Sequence, residues 1–524
     1  MKKNTIVRTV LAGMFALFSS GAIASDTIPV PAGSNAFDFL PVFLPWMGTS
    51  NPGALSENSI GNLSLMQAGY MHSDDQIRFI QQPEKTSVYN AETKGFMQLG
   101  KLHLFGAFGY SNNRYRGSEY NGTLMFNSLN PYLLGDTVPD LQFKEQFEME
   151  GKASYRLSER LTIATGVEYL SAVGAKQKDP RNKNSISYLR VSPGVIYDLG
   201  KTKLGLSGSV YTTSDEISYS VEGNWNQTLF VLLGLGYYRQ EVNISYYSEW
   251  YTGKGYSGAL QASHANNKLY MLGEVKYDHY SEEARTGSSF RLIDGITTTN
   301  DISLSGLLRL SRGKALHLLT LKGSFKAVSS DEILQRSITV NKGTYSYDSL
   351  ATISWIENKH LISDLSGALG YSYIVLDDES NIGFEAGGAV DVTYFSTEHY
   401  PVLSYGYYNF FNLKGSLFAG KLLHIGSLNL TPRIDVSYRA NLGSDLSYMV
   451  QTYSLPEMIY HDYFVSKAGM MSGSLSLKLE KPTPKNKFIN SLFMIPEGRY
   501  VMAPDTEAGT LTGYMISAIA GIIF

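Results

Sequence analysis

The stretch KEQFEMEGKASYR, Lys144 to Arg156, alternates polar and mostly apolar or small side chains over its whole length. A β-strand sends successive side chains to opposite faces, so each set occupies one surface. The polar face holds Lys144, Gln146, Glu148, Glu150, Lys152, Ser154 and Arg156, and the other holds Phe147, Met149, Ala153 and Tyr155. One such strand fits a soluble sandwich with one wet face as well as it fits a membrane barrel. The rest of the chain must decide between these folds.

The same alternation recurs along the chain in segments of about ten residues, many of them closed by an aromatic residue. Examples are Leu102 to Tyr110, Leu161 to Tyr169, Leu269 to Tyr277 and Leu428 to Tyr438. No later stretch is apolar enough over about 18 residues to form a spanning helix. A closed sheet is the other structure that pairs its backbone groups in lipid. We therefore predict an all-β fold, a transmembrane antiparallel β-barrel of about 16 to 18 strands closed by the C-terminal strand.

The first residues have the three parts of a secretory signal peptide. Lys2, Lys3 and Arg8 precede an apolar run, and Ala22-Ile23-Ala24 fits a cleavage site. The chain has no cysteine, which excludes disulfides and thiolate chemistry. Without the signal, 41 basic residues stand against 47 acidic ones, so the charge does not suggest a nucleic-acid partner. We expect export to the outer membrane of a Gram-negative bacterium after cleavage of the signal peptide.

The sequence divides into a signal peptide (1–24), a periplasmic tail or plug (25–60) and an outer-membrane barrel (61–524). The last segment, TGYMISAIAGIIF, resembles the terminal strand by which bacterial outer-membrane barrels are recognised for assembly. The residues that carry this resemblance share one face: Tyr514, Ile516, Ile522 and Phe524. Membrane lipid and the barrel-assembly machinery are the expected partners, and a further surface-protein partner is left open.

Connections between the predicted strands alternate between short and long, as in barrels with short periplasmic turns. Long ones are predicted near Ser111 to Phe143, Ser171 to Ser185, Thr212 to Tyr256, His279 to Asn300, Ala327 to Thr344 and Asn441 to Ser466. The count reaches about nineteen strands, and an odd number cannot leave both ends of the chain on one side of the membrane. We therefore expect that one strand prediction between Asp348 and Ser396 is wrong, because two short connections, Glu357 to His360 and Asp377 to Asn381, follow one another there without a long loop between them.

The charged residues on the polar faces are expected to line the lumen. Their mixed signs would either set a transverse field in a pore or form a salt-bridge network that fills the barrel, and the pore is slightly favoured. The candidates are Lys144, Glu148, Glu150, Lys152, Glu168, Arg190, Glu274, Lys276, Arg309, Lys322, Arg433, Asp435, Arg439, Lys478 and Glu480.

Two segments are rich in aromatic residues, Gly236 to Tyr256 and Tyr405 to Phe411. Stacked rings could bind sugars or an apolar ligand, but interfacial girdles are the favoured interpretation. The nine histidines are scattered, and neither an HExxH motif nor a P-loop occurs. We therefore predict no enzyme activity, no cofactor and no metal site.

Two resemblances concern whole families. SNPGALS, Ser50 to Ser56, resembles a stretch near the N-terminal hatch of outer-membrane long-chain fatty-acid transporters, although it covers only a few residues. Trp46, Asn51 and Pro52 are accordingly plug candidates. A broader likeness runs from there through GKLHLFGAFGYSNN, NPYLLGDTVPD and GAKQKDPRNKNSISYLRVSPGVIYDLG to the C-terminus. It is similar to an uncharacterised family of outer-membrane barrels from Bacteroidota, which implies location and fold but no substrate.

We expect a channel or transporter for small hydrophilic or amphipathic solutes, and the alternative is a non-conducting structural or accessory barrel that works with other surface machinery. An open pore predicts a continuous hydrated lumen. The accessory interpretation predicts a lumen blocked by residues 26–60 or by the loop from Ser111 to Phe143. A fatty-acid route, the third hypothesis, would need an apolar pocket near the hatch.

Overall fold

The computed structural model describes residues 37, 39–57, 61–223, 227–287, 291–342, 345–378, 381–400, 405–483, 486, 488–506 and 509–524. The predicted signal peptide and the start of the predicted tail lie outside these residues. None of the helices found within these ranges is both long and apolar enough to cross a membrane.

Strands make up most of the described chain. In order they are β1 (Leu63–Asp75), β2 (Lys85–Leu99), β3 (Leu102–Arg116), β4 (Leu134–Gly135), β5 (Gln142–Arg156), β6 (Leu161–Lys176), β7 (Arg181–Asp198), β8 (Thr202–Ser220), β9 (Thr228–Gly234), β10 (Tyr237–Val242), β11 (Tyr246–Ala265), β12 (Leu269–Thr286), β13 (Leu292–Arg312), β14 (Ala315–Lys342), β15 (Tyr345–Leu376), β16 (Ile382–His399), β17 (Gly406–Lys421), β18 (Leu423–Ile425), β19 (Leu428–Ser447), β20 (Met470–Pro482), β21 (Ser491–Thr506) and β22 (Gly509–Ile523). The helices are α1 (Leu40–Phe43) and α2 (Pro456–Lys467), with 3-10 turns at Pro45–Gly48 and Pro52–Glu57.

Eighteen of the described strands, all except β4, β9, β10 and β18, form one closed antiparallel barrel. Each pairs with its neighbours in sequence order, and β22 closes the ring by pairing with both β21 and β1. In the last seam Ile523 lies opposite Leu65 and Gly513 lies opposite Asp75. The predicted fold class, its range of strand numbers and its closure by the C-terminal strand are confirmed.

The extra strand in the sequence-based count came from a turn that does not exist. β15 continues through the short connection predicted at Glu357 to His360. The register shifts there, and Asn358 takes a φ of 52°, so the chain bulges without reversing. Asp331 on β14 holds the bulge, because its carboxylate accepts hydrogen bonds from the Asn358 amide at 2.9 Å and the Trp355 indole at 3.0 Å.

Two predicted long loops are also wrong, because strands run on where loops were expected. Residues 171–185 are mostly the ends of β6 and β7, and the segment from Ala327 continues β14 as far as Lys342. Outward-facing Lys183, Glu216 and Lys254 are exposed in this part of the barrel. The strands therefore extend past the membrane into water, where an outer face can be polar.

Large apolar side chains are exposed on the outer face of the barrel. Leu260 and Leu417 are each 65% exposed, which would be unfavourable in water if repeated over a whole surface. Such residues recur around the ring and form a belt, for example Met66, Phe108, Met149, Val167, Leu206, Ile302, Leu321, Leu369, Val390, Ile434, Leu475 and Ile516. A continuous apolar outer belt identifies the surface that faces lipid.

Two groups of residues occupy the ends of the lumen. Residues 39–57, hereafter the plug, lie at the end of the barrel that carries the short turns. Residues 117–141, 227–245 and 448–469, hereafter the cap, lie at the opposite end. In the cap, β4, β9 and β10 form a small antiparallel sheet, and α2 packs beside it.

Candidate functional site in the barrel lumen

The predicted lumen residues all occupy the inner face of the barrel, because they alternate with belt residues on the same strands. On β5, for example, Glu148 and Glu150 flank Met149, which is exposed on the outer face. These side chains do three different things: some hold the plug, some hold the cap, and some line cavities or pair with one another along the wall.

Charged wall residues bind the plug backbone. Arg309 on β13 donates hydrogen bonds to the carbonyl oxygens of Val42 at 2.7 Å and Phe43 at 3.1 Å. On β12, a carboxylate oxygen of Glu274 accepts from the backbone N of Ser50 at 2.9 Å and from its hydroxyl at 2.8 Å. These contacts supply hydrogen-bond partners for backbone groups of the plug, which is not paired with a strand.

Two further cations hold the C-terminal part of the plug. Arg156 on β5 donates to the carbonyl oxygen of Ser56 at 2.9 Å. Lys203 on β8 forms an ion pair with Glu57. Since β5, β8, β12 and β13 stand at different points around the ring, the plug crosses the lumen.

The predicted plug residues Trp46, Asn51 and Pro52 are all buried against the wall. The Trp46 indole donates to the hydroxyl of Ser263 at 3.0 Å. The Asn51 amide donates to the side chain of Gln261 at 3.1 Å and to the carbonyl oxygen of Val195 at 3.0 Å. The plug also makes apolar contacts in two places: Phe43 packs with wall residues including Leu316 and Ile374, and Trp46 packs in a cluster that includes Ile196.

The cap is built around a larger apolar core. Tyr132, Leu134, Leu229 and Val231 are fully buried, and they pack against wall residues such as Ile217. A buried ion pair adds to this core, with Lys176 Nζ 2.6 Å from the Asp136 carboxylate. Burial lowers the pKa of Lys176, which lies at the end of β6 beyond the belt.

Helix α2 of the cap is fixed at its C-terminus by the wall. The Arg439 guanidinium donates to the carbonyl oxygens of Val465 at 2.8 Å and Ala468 at 2.9 Å. Asp462 on the same helix accepts from the backbone N of Ile80 at 3.0 Å. Burial raises the pKa of Asp462 to about 7, and the Ile80 hydrogen bond and the charge of Arg78 offset only part of that shift.

The remaining predicted charges pair within the wall or line cavities. Lys152 pairs with Glu150, Lys276 lies 3.3 Å from Asp278, and Arg433 contacts both Glu385 and Asp435. Lys144 donates a hydrogen bond to the carbonyl oxygen of Leu124, and Glu480 accepts one from the Ser491 hydroxyl. Arg190 and Lys478 are paired across neighbouring strands with Glu168 and Thr431. Lys322 lines a cavity.

Cavities remain in the lumen between the plug and the cap. One of about 620 Å³ includes Glu148, Glu150 and Glu168 in its lining. Another of about 850 Å³ touches the plug at Gly48 and includes Lys322 and Lys414. Because β5 and β16 are half a circumference apart in the strand order, an acidic wall faces a more basic one across the lumen. Solutes in this space would experience a transverse field.

The predicted assembly residues lie together on the outer face of β22. Tyr514, Ile516 and Phe524 are exposed, and Ile522 is partly exposed between Met66 and Leu492 in the neighbouring strands. They extend the lipid-facing belt, and recognition by an assembly machinery stays a prediction.

Sequence reasoning missed the tyrosines of the lumen. Tyr188, Tyr211 and Tyr280 line a third cavity, of about 420 Å³, beneath the cap. The sequence places Tyr280 in the predicted loop from His279 to Asn300, whereas it lies on β12. The alternation of Tyr280 with outward-facing His279 and Ser281 continues the pattern of that strand, and this alternation indicates that Tyr280 faces inward. Among the described residues, no group of three or more histidine, aspartate or glutamate side chains is arranged to hold a metal ion.

These features define a transmembrane β-barrel with an occupied lumen. The chain belongs to a family described as a family of unknown function (DUF6850), whose family model matches residues 52–524. No curated protein sequence shows a significant match to the chain.

Several solved outer-membrane proteins align with most of this chain at low sequence identity. The outer membrane transporter YddB from Escherichia coli is 9% identical, with 89% of this chain and 81% of that chain aligned at a TM-score of 0.38. The FrpB iron transporter from Neisseria meningitidis is 11% identical, with coverages of 91% and 84% and a TM-score of 0.39. The RagAB peptide importer in its "closed-closed" state is 7% identical, with coverages of 89% and 87% and a TM-score of 0.41.

Proposed function

We propose that the protein is an outer-membrane transporter whose lumen is closed at both ends in the resting state. The observation that carries this proposal is a polar, charged lumen enclosed between the plug and the cap. The chain would be exported, with the short-turn end of the barrel and the plug facing the periplasm.

The way the plug is held supports a transporter that opens. Its contacts are mainly single hydrogen bonds and ion pairs from wall side chains, and each can be exchanged for water at a net cost of about 0.5 to 3 kcal/mol. Its apolar contacts with the wall, around Phe43 and around Trp46, form two separate clusters that are each smaller than the core of the cap. A ligand or a periplasmic partner could therefore supply enough free energy to displace it.

The lining supports a hydrophilic or amphipathic solute. The cavity beside the plug includes Ser303, Ser305 and Ser324 together with Lys322 and Asp391. A fatty-acid route would need an apolar pocket at this place, so the resemblance of Ser50 to Ser56 to a fatty-acid transporter hatch gains no support from the lining.

The second candidate is an accessory barrel that conducts nothing. In its support, the described part of the N-terminal segment, residues 39–57, and the β3–β5 connection both contact lumen-facing wall residues. Residues 333–342 and 345–355 also form a ribbon that, among the described strands, pairs only within itself, beyond the last pairings of β13 and β16. Leu334, Ile353 and Trp355 are exposed on this ribbon, which would suit a surface-protein partner.

Conductance in a planar bilayer separates the two candidates. The wild type is expected to be silent, and a variant lacking residues 39–57 is expected to give steady steps. The matched control is Lys203→Met, which loses the ion pairs of Lys203 with Glu57 and Asp198 but keeps the rest of the plug. If the deletion variant is folded, as judged by its mobility without boiling, and still silent, the transporter proposal is wrong and the accessory role replaces it.

A further inference from the structure

The cavity beneath the cap has an aromatic wall. Its lining includes Tyr188 on β7, Tyr211 on β8 and Tyr280 on β12, hereafter the aromatic shelf. The ring centroids of Tyr211 and Tyr280 are 5.8 Å apart with planes 10° from parallel. Tyr188 lies 6.1 Å from Tyr211. Three neighbouring rings therefore present a continuous surface toward the lumen.

Two glycines of β11 create the space for this shelf. A Cβ at Gly255 would lie 2.2 Å from Cζ of Tyr211, and a Cβ at Gly253 would lie 2.1 Å from the hydroxyl oxygen of Tyr280. Any larger residue at either position would push the rings away from the strand. The segment Thr252 to Tyr256 thus explains how rings from β8 and β12 can meet across β11.

The cavity is acidic. Asp215, Asp278, Glu282 and Asp301 line it together with Lys326, and Lys276 lies 3.3 Å from the Asp278 carboxylate, so the carboxylates outnumber the cations around the cavity. The hydroxyl of Tyr211 donates to Asp278, and that of Tyr280 donates to Glu282, both at 2.5 Å. These carboxylates are therefore held in place at the edge of the shelf.

The shelf already holds one cation. The guanidinium carbon of Arg190 lies 4.6 Å from the ring centroid of Tyr211. Cations are attracted to the faces of aromatic rings and gain further from nearby carboxylates. Rings and an excess of carboxylates together favour a positively charged ligand with an organic body over a neutral sugar or an anion.

Asn130 of the cap contacts Glu282, one of the residues that line this cavity. Its side-chain amide donates to Glu282 at 2.6 Å, and its carbonyl oxygen accepts from Thr297 at 3.3 Å. A bound cation would make a charge-assisted hydrogen bond to Glu282 and so compete with this neutral donor. Ligand occupancy and attachment of the cap are then coupled through one carboxylate.

We propose that this cavity binds a protonated organic amine, with the aromatic shelf contacting the organic body, Asp278, Glu282 and Asp301 neutralising the ammonium group, and Asn130 acting as the competitor at Glu282. This inference deepens the proposed transport function and rests on it, since it names the chemical class of the solute. Binding is measured on the purified protein, so it stands or fails separately from conductance.

The first test is calorimetric titration of the full chain in detergent micelles with benzylamine, using benzyl alcohol as the matched neutral probe. The amine should bind at least about tenfold more tightly than the alcohol. Asp301→Asn should weaken amine binding by about tenfold, while Asp445→Asn, a change at an exposed carboxylate that accepts from Tyr407 outside this cavity, should leave it unchanged. Folding of each variant is checked by its mobility without boiling.

Asn130→Ala is a second variant, and it should change the amine affinity in the opposite direction. It removes the competitor, so amine affinity should rise severalfold although a cap contact is lost. Equal binding of amine and alcohol, or an Asp301→Asn variant that binds the amine like the wild type, would overturn the inference. Maltose binding that is lost in Tyr280→Leu and kept in Asp301→Asn would replace the amine with a sugar.

Discussion

The plug and the cap close opposite ends of one barrel with different kinds of contact. The plug is held by wall side chains such as Arg309 and Glu274, which bind its backbone one group at a time. The cap has its own sheet and a core with fully buried residues such as Leu134 and Leu229. Side-chain hydrogen bonds to a short segment can be exchanged singly, whereas a packed core opens cooperatively. We therefore expect the plug to be released more readily than the cap.

The largest expected effect is a loss of stability in the cap. Lys176→Met would leave the Asp136 carboxylate buried without its partner, which costs about 3 to 5 kcal/mol. The matched control is Lys85→Met, because the Lys85–Asp74 pair is largely exposed and should matter little. Limited proteolysis between residues 227 and 245 should become much faster in the first variant alone. Equal cleavage of both variants would mean that the ion pair does not hold the cap.

The next effect is a pH dependence of the cap. The pKa of Asp462 is about 7 in the folded protein, above its unfolded value of about 3.9. The folded state therefore binds the proton more tightly, and this contribution to stability is full below about pH 4 and lost as the pH rises through 7. Asp462→Asn, which can still accept from Ile80, should remove the dependence.

Hydrogen exchange of the α2 amides at pH 5 and pH 8, corrected for intrinsic rates, measures this change. In the wild type, the opening free energy of the helix should fall by an amount on the order of a few kcal/mol between these values. The Asn variant should show almost none of that fall. A wild-type helix that is more stable at pH 8 would reverse the sign and contradict the prediction.

A smaller effect is expected at the plug. Arg309→Ala removes two hydrogen bonds from a charged donor, about 1.5 to 3 kcal/mol each at most. Because the chain contains no cysteine, a single Met47→Cys substitution reports plug exposure through maleimide labelling. Labelling should accelerate with Arg309→Ala and stay unchanged with Arg433→Ala, whose described contacts are with wall residues and not with the plug. Equal acceleration by both would point to general loosening of the barrel.

The smallest effect concerns one hydrogen bond. Trp46→Phe keeps an aromatic ring in the plug but loses the bond to Ser263, about 0.5 to 1.5 kcal/mol. Ser263→Ala should accelerate labelling at position 47 by a similar factor. The double variant should add little beyond either single change, since both remove the same interaction. Full additivity would show that the two side chains act independently.

The two faces of the barrel strands could be predicted because their cause is local. A period of two places Glu148 and Met149 on opposite faces whatever the rest of the chain does. The same reasoning placed Arg309 and Glu274 inside the barrel. It could not tell that these two side chains hold the plug, since their partners are more than 200 residues away in sequence.

Other features depended on information that periodicity does not contain. The polar sequence around Asn358 has turn-forming residues, yet Asp331 on the neighbouring strand stabilises a bulge there. The strand ends near Lys183 and Glu216 have two polar faces because they rise out of the membrane, so they resembled loops. The cap joins three distant segments, and the aromatic shelf depends on rings that meet across two glycines of a third strand.

Hydrogen exchange of the wild-type protein in micelles tests the comparison most directly, because one sample reports on both closures. We expect the backbone amides of the plug, residues 39–57, to exchange much faster than those of the cap sheet, residues 228–242. Local 3-10 turns and side-chain contacts protect the former, and sheet pairing over a buried core protects the latter. Slower exchange in the plug than in the cap sheet would contradict the account and make the cap the more readily opened closure.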